Sequence, residues 1–326
     1  MWLWLAIVIA LAVMVEITAR LSGLGRPLLY EKTSYGYRVV PGQSVTRFGN
    51  RIYYNEQGLR SEIIAPRAPP HTLRILCIGD SITFGSTATD QHLTYPYLLR
   101  QELSARDRQQ SFEVLNASAG GWAIENEEGW LAENGVFGSH VVVLQVATHD
   151  LFQEKAGADV VGRDPGFPDR RPRFALQELL RRYVIPQLAW RLHLRKPDSV
   201  IYHHTRADVA RTMASLTRIA ARVRSEGAQL LILFVQQPRA LEPRDELTRY
   251  GKNVLFEKAA ELRIPVVCSA DAMELAGGER AFTDGLHPNA LGNRVLAQVV
   301  AQSIRQRQSR VDRPNPSCDE PRAAVE

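Results

Sequence analysis

Cysteine is scarce in this chain, with three in 326 residues, too few for a disulfide framework. Charge of one sign is also lacking. Forty Lys+Arg stand against 35 Asp+Glu, a formal net charge of +5, so the strong basic field of a nucleic-acid-binding protein is missing. With 45% hydrophobic and 23% charged residues, the composition is not that of a disordered chain. A mean hydropathy of −0.20 excludes a multi-span membrane protein. No internal repeat is present. Cys77 and Cys268 sit in apolar runs that read as strands, where a free thiol is usually a small buried side chain, and Cys318 lies in a polar tail. That scatter fits a reducing compartment or a secreted protein that uses no disulfides.

One long apolar run is present, at residues 2–15. As a helix it is ~21 Å long, short of the ~20 residues of a full span unless it continues to Ala19. Trp2 and Trp4 suit one membrane interface, Arg20 and Arg26 the other. A signal anchor is the favoured reading. A cleaved signal peptide lacks both a preceding Lys or Arg and a small-x-small site after Val15. A buried core helix would need a polar face, which the run does not have. Arg20, Arg26 and Lys32 all follow the run, so the positive-inside bias alone would put the body in the cytoplasm.

Residues 21–71 read as a linker or small extension, rich in Tyr, Arg, Gly and Pro. From residue 72 the pattern alternates. Apolar runs at 73–78, 112–115, 141–146, 230–235 and 265–268 read as buried strands. Helical spacing covers 95–106, 124–134, 206–226, 247–262 and 291–304. This order implies parallel βαβ units in a three-layer α/β/α sandwich with a five-stranded parallel sheet, whose ligands sit at the carboxyl ends of the strands. Residues 151–205 interrupt the alternation as an insertion, and residues 306–326 read as a disordered tail. The expected organisation is therefore a transmembrane anchor at 1–20, the extension at 21–71, one catalytic domain at 72–305 and the tail.

Three segments place reactive side chains at strand ends. Ser81, in Gly79-Asp80-Ser81, follows the first run, where a hydroxyl is exposed and neighbouring N–H groups can stabilise negative charge. The Gly-x-Ser-x-Gly elbow of α/β-hydrolases is absent. Asp284 and His287, in Asp284-Gly285-Leu286-His287-Pro288-Asn289, can both face a serine, His287 as general base and Asp284 fixing its tautomer. Asn116-Ala117-Ser118-Ala119-Gly120-Gly121 and Ala147-Thr148-His149-Asp150 supply Gly121, whose N–H no Cβ obstructs, and an imidazole donor at His149. Each segment alone has a plainer reading: Ser81 and His287 as helix caps, Asp284 as a turn residue, His149 as a packed side chain. A metal pair at Asp284 and His287 lacks further ligands at suitable spacing. No metal or cofactor is expected.

Taken together, Ile78-Gly79-Asp80-Ser81-Ile82-Thr83-Phe84-Gly85, the 116–121 stretch and Asp284-x-x-His287 resemble the family blocks of SGNH/GDSL hydrolases, over residues 72–305. The resemblance implies a flavodoxin-like fold and a Ser81-His287-Asp284 triad. It also implies an oxyanion hole from the N–H groups of Ser81 and Gly121 and a side chain at the His149 position. There the family pattern is Gly-x-Asn-Asp, and this chain departs from it. Losing one oxyanion donor typically costs about 10²–10³ in rate. The apolar run with Glu16 and Arg20, followed by Tyr54-Asn55-Glu56-Gln57-Gly58-Leu59-Arg60, looks like membrane-anchored bacterial members, some of which act on O-acyl groups of cell-surface polysaccharide. The resemblance thus points to a serine esterase releasing an O-acyl, favourably acetyl, group from a glycan or small ester, held by its N-terminal helix outside the cytoplasm. An O-acyltransferase with the same triad, or a weakened glycan-binding assembly protein, are the alternatives.

Residues 72–150 carry a net charge of −6 and the insertion +4. Arg170, Arg171 and Arg173 precede a helix-like stretch with Leu176, Leu179, Leu180, Tyr183, Val184 and Trp190. It reads as an amphipathic lid packed on the core, or as an interfacial helix recruiting an anionic glycan or lipid head group. The expected partners are an ester substrate and a membrane, not nucleic acid. Oligomeric state is not legible.

Overall fold

The computed structural model describes residues 1–192, 204–238 and 241–308. The end of the insertion (193–203) and the tail beyond 308 lie outside the described residues.

Helix α1 (Trp2–Leu21) is the apolar segment, a single helix of 20 residues, long and apolar enough to cross a membrane. Two antiparallel hairpins follow, β1 (Tyr30–Thr33) with β2 (Gly36–Val39), and β3 (Ser44–Arg47) with β4 (Asn50–Tyr53). The central sheet holds β5 (Thr72–Gly79), β6 (Ser111–Ser118), β7 (Val141–Ala147), β8 (Gln229–Val235) and β9 (Val266–Cys268). Its order is β6-β5-β7-β8-β9 and every pairing is parallel. The helices after α1 are α2 (Ser81–Phe84), α3 (Tyr95–Arg106), α4 (Ile124–Asn134), α5 (Ala175–Glu178), α6 (Ile185–Arg191), α7 (Arg206–Ser225), α8 (Glu246–Glu261), α9 (Ala270–Leu275) and α10 (Ala290–Gln308). A π-helical stretch, Leu179–Val184, joins α5 to α6.

The five-stranded parallel sheet with flanking helices is the architecture that the sequence implies. Its strands are continuous apolar runs because both faces are covered. Leu76 and Ile78 point into one core with α4, α7 and α8, and Ile75 and Cys77 into the other with α3 and α10. This is the period-two alternation of a strand. Burial pushes the Cys77 thiol up to about 12, so it acts as an inert hydrophobe. Cys268, expected to be a free thiol, is instead disulfide-bonded. Helix α7 begins in a capping box, with Thr205 Oγ1 accepting from the Asp208 N–H and Asp208 Oδ2 from the Thr205 N–H.

Residues 21–71 are not a loose linker. Tyr35, Tyr37, Tyr54 and Leu59 are fully buried in the same core as α4 and α7. Each large side chain removed from water contributes roughly 1.5–3 kcal/mol, which fixes the hairpins to the sheet. The Trp122 indole N–H donates to the Tyr37 carbonyl at 2.9 Å, and Tyr35 and Trp122 meet edge to face. The insertion is held as firmly near its middle. Arg47, from β3, pairs with Glu178 of α5 at 2.6 Å with both side chains buried.

Candidate active site

The strand order reverses between β5 and β7, the point at which such sheets open a crevice at their carboxyl ends. Ser81 lies just past β5. Gly79 ends that strand because nothing larger fits: a Cβ would lie 2.3 Å from Thr83 Oγ1 and 2.6 Å from Gln145 Oε1. Asp80 Oδ1 accepts from the Ile82 N–H at 2.8 Å, starting α2. Gly85 then stops α2 in the left-handed conformation at φ 69°.

The 282–289 loop brings its residues to Ser81 from the far end of the chain. Phe282 and Pro288 bridge its base, and Gly285 turns it at φ 81°. His287 Nε2 lies 2.9 Å from Ser81 Oγ, and His287 Nδ1 lies 2.7 Å from Asp284 Oδ2. Asp284 Oδ1 accepts from the N–H groups of His287 at 2.8 Å and Leu286 at 3.1 Å. Partial burial pushes the Asp284 carboxyl up, but these N–H groups and the His287 ring outweigh it and hold it below the ordinary range. A carboxylate on Nδ1 selects the tautomer that leaves Nε2 free to accept the serine proton. The row is open to solvent, with the His287 side chain 39% and Asp284 54% exposed.

Gly121 sits on the loop after β6 at φ 78°. Its carbonyl accepts from Gln153 Nε2 at 2.8 Å. The Tyr37 hydroxyl donates to the Gly120 carbonyl at 2.7 Å, and the Tyr54 hydroxyl to Ser118 at 3.4 Å. The loop is therefore braced by the hairpin extension. It also packs on the serine, since a Cβ at Gly120 would lie 4.0 Å from Ser81 Cβ.

His149 follows β7, on the other side of the crevice. Its Nε2 lies 3.0 Å from Asp80 Oδ2 and 3.3 Å from Asp150 Oδ1. Both carboxylates are buried, while the imidazole is 32% exposed. Burial would lower the His149 pKa, but Asp150 and Asp80 overcome it and raise it to about 9. Burial pushes the Asp150 carboxyl up. The two carboxylates therefore favour the charged form of the His149 ring, whose Nε2 faces both. Asp80 Oδ2 also lies 3.4 Å from Ser81 Oγ, linking this ion cluster to the serine. The ligand atoms of Asp80, His149 and Asp150 lie within 4.8 Å of one another, close enough to hold a cation.

Sequence reasoning missed two residues that shape this crevice. Tyr37 lies in a stretch without sheet periodicity. Arg60 is buried and donates to the carbonyls of Phe84, of Ser86 at 2.7 Å and of Thr89 at 2.7 Å, fixing the segment after the serine. Burial lowers the Arg60 pKa to about 10. Arg60 ends the 54–60 block that resembles membrane-anchored members, but that likeness gives no hint that it serves backbone carbonyls.

Residues 77–295 match the model of the GDSL-like Lipase/Acylhydrolase family. No curated protein matches the chain. Among solved structures, the chain is similar to Axe2, an acetylxylan esterase from Geobacillus stearothermophilus, at 15% identity and a TM-score of 0.47, covering 71% of this chain and 94% of that one. It is similar to TesA at 21% identity and a TM-score of 0.42, covering 71% and 97%. It is also similar to the psychrotrophic esterase EstA from Pseudoalteromonas sp., at 14% identity and a TM-score of 0.43, covering 72% and 98%.

Proposed function

The chain belongs to the GDSL-like lipase/acylhydrolase family and is a carboxylic ester hydrolase, and from that premise we propose that Ser81, His287 and Asp284 are its catalytic triad. The observation that carries the proposal is the unbroken row from Asp284 through His287 to Ser81 Oγ, at 2.7 and 2.9 Å. Ser81 Oγ attacks the ester carbonyl and passes its proton to His287 Nε2. The tetrahedral intermediate expels the alcohol, which takes that proton, and leaves an acyl-serine. Water then attacks, His287 takes its proton, and collapse returns that proton to Ser81 Oγ as the carboxylic acid leaves. The N–H groups of Ser81 and Gly121 and the imidazolium of His149 are proposed to stabilise the oxyanion, the last by a fixed charge where the family has an amide.

The substrate proposed is an O-acyl group, favourably acetyl, on a cell-surface glycan. The exposure of His287 and Asp284 supports it, because a bulky polymer can reach the serine without entering a deep cavity. An extracytoplasmic site is supported by the disulfide at Cys268, a bond that persists in oxidising compartments. Retention of α1 is supported by its docking. Glu16 accepts from the Ala175 and Leu176 N–H groups at 2.9 and 2.8 Å, so a cleaved α1 would leave α5 uncapped.

Labelling intact cells with a membrane-impermeant fluorophosphonate tests the nucleophile and the side of the membrane together. The wild type should label, and Ser81→Ala should lose both labelling and p-nitrophenyl acetate turnover. Persisting turnover in Ser81→Ala would remove the assignment. Product analysis with an acetyl donor and a glycan acceptor separates release to water from transfer to a sugar hydroxyl.

A further inference from the structure

The insertion carries a feature that the hydrolytic reading does not use. A cleft of about 640 Å³ is lined by Arg163, Arg170, Arg171, Arg173, Arg181 and Arg182, against three carboxylates. Those carboxylates do not neutralise it. Glu178 is taken by buried Arg47. Asp164 Oδ1 accepts from the Gly166 N–H. Asp169 has Arg170 no nearer than 3.9 Å. Arg163 has Asp159 at 3.6 Å, and Arg182, 26% exposed, lies 3.9 Å from Glu178; six guanidinium groups against these four carboxylates still leave an excess of positive charge, the chemistry that matches phosphate oxygens two at a time.

Its other wall is apolar. A groove of about 620 Å³ runs between α1 and the 174–185 stretch, with Ile9, Val13 and Ile17 facing Leu176, Leu180 and Ile185. Arg181 lines both cavities, so the groove and the cleft share a wall. Phe174, Ile185 and Leu188 are each at least half exposed. The two helices are fixed to each other where the apolar run of α1 ends. Glu16 caps α5 there, and Arg20 donates to the Arg173 carbonyl at 2.9 Å. An exposed apolar helix thus lies beside a membrane-length helix, and the arginines gather at the level where that helix leaves the apolar layer. That is where lipid phosphates lie.

We propose that this cleft seats the phosphate headgroups of anionic membrane lipids, with α5 and α6 lying in the interface beside α1. The inference rests on α1 being a membrane helix and is independent of the triad. Native mass spectrometry of the full chain in neutral detergent micelles, titrated with phosphatidylglycerol or phosphatidylcholine, tests it. The wild type should prefer phosphatidylglycerol at least about tenfold. The triple variant R170Q/R171Q/R173Q should lose on the order of a hundredfold in that affinity, about fivefold per arginine. The Arg170 side chain is 90% exposed, so the single variant R170Q keeps the fold and should lose about fivefold. Equal affinity of the wild type for both lipids, or undiminished preference in both variants, would overturn the proposal. So would complete displacement of phosphatidylglycerol by inorganic phosphate, which would mark a soluble-anion site. Carbonate washing of cell membranes reads the anchor separately: release of the chain refutes α1 as a membrane helix whatever the lipid titration shows.

Discussion

The ion pair between Arg47 and Glu178 ties the hairpin extension to the insertion, and its removal should loosen both. The Arg47 side chain is fully buried and Glu178 is 6% exposed. Arg47 Nη2 donates to Glu178 Oε1 at 2.6 Å and to the Tyr183 hydroxyl at 3.3 Å, and Nη1 donates to the Gly23 carbonyl at 3.1 Å. In Arg47→Met, Glu178 keeps the Gly25 N–H at 2.7 Å and a distant Arg182 at 3.9 Å. Breaking a buried pair from one side typically costs about 3–5 kcal/mol. The remaining N–H and the half-buried Arg182 put Arg47→Met at the lower end, about 3 kcal/mol. Glu178→Met strands a guanidinium with only a carbonyl and a hydroxyl, so it belongs at the upper end. The double variant R47M/E178M removes both charges, and apolar replacement of a buried pair is often neutral. It should therefore return to within about 1 kcal/mol of the wild type. Thermal unfolding of the full chain in detergent reads the cycle. At roughly 2–4 °C per kcal/mol, each single variant should melt at least about 6 °C lower. Single variants that melt with the wild type, or a double variant as unstable as the two singles summed, would refute the reasoning.

Two further outcomes bear on the crevice. Tyr37→Phe removes the hydroxyl that holds the Gly120 carbonyl at 2.7 Å. It should lower kcat about fivefold with KM unchanged, the worth of one hydrogen bond; steady-state kinetics with p-nitrophenyl acetate would show otherwise if KM rose instead. His149 has its pKa raised to about 9, Asp150 and Asp80 prevailing over burial. A raised histidine contributes stability that is complete below its unfolded value of ~6.5 and is lost as pH rises through the folded value. Melting temperatures from pH 6 to 10 should therefore fall through pH 9 in the wild type and converge there on those of His149→Gln. Parallel curves would place the charge elsewhere.

The sheet was legible because its strands are buried on both faces and its helices on one. The runs at 73–78 and 141–146 and the face of residues 209–223 carry that signal directly. The encounter of Ser81 with His287 was legible by another route. Two short blocks resemble a family, and the strand order carries residues 206 positions apart to one crevice. The hairpins were not legible. Their four-residue strands are too short for a period, and what buries them is tyrosine pairing with Trp122 and the 118–121 loop, a tertiary effect. The surroundings of His149 were hidden for a similar reason. The sequence puts Asp150 beside it, yet Asp80, 69 residues away, completes the ion cluster. A substitution that reads as a weaker amide lies against two carboxylates that favour its charged form.

That cluster and the insertion share a physical logic. The half of the chain that carries Ser81 is acidic by sequence, yet a half-buried imidazole whose charged form Asp80 and Asp150 favour is linked to the serine through Asp80. The basic excess lies apart, in the cleft beside α1. On the proposed reading, an anionic bilayer attracts the insertion and repels the acidic surface around the crevice, which turns the proposed triad away from the membrane. The same arrangement bears on the positive charges that follow α1. Arg20 is committed to Glu16 at 2.6 Å and to the Arg173 carbonyl, and long folded domains cross membranes largely regardless of their charge. On the proposed reading the headgroup ligands are the arginines of the cleft, while Arg20 is spent on holding α1 to the insertion.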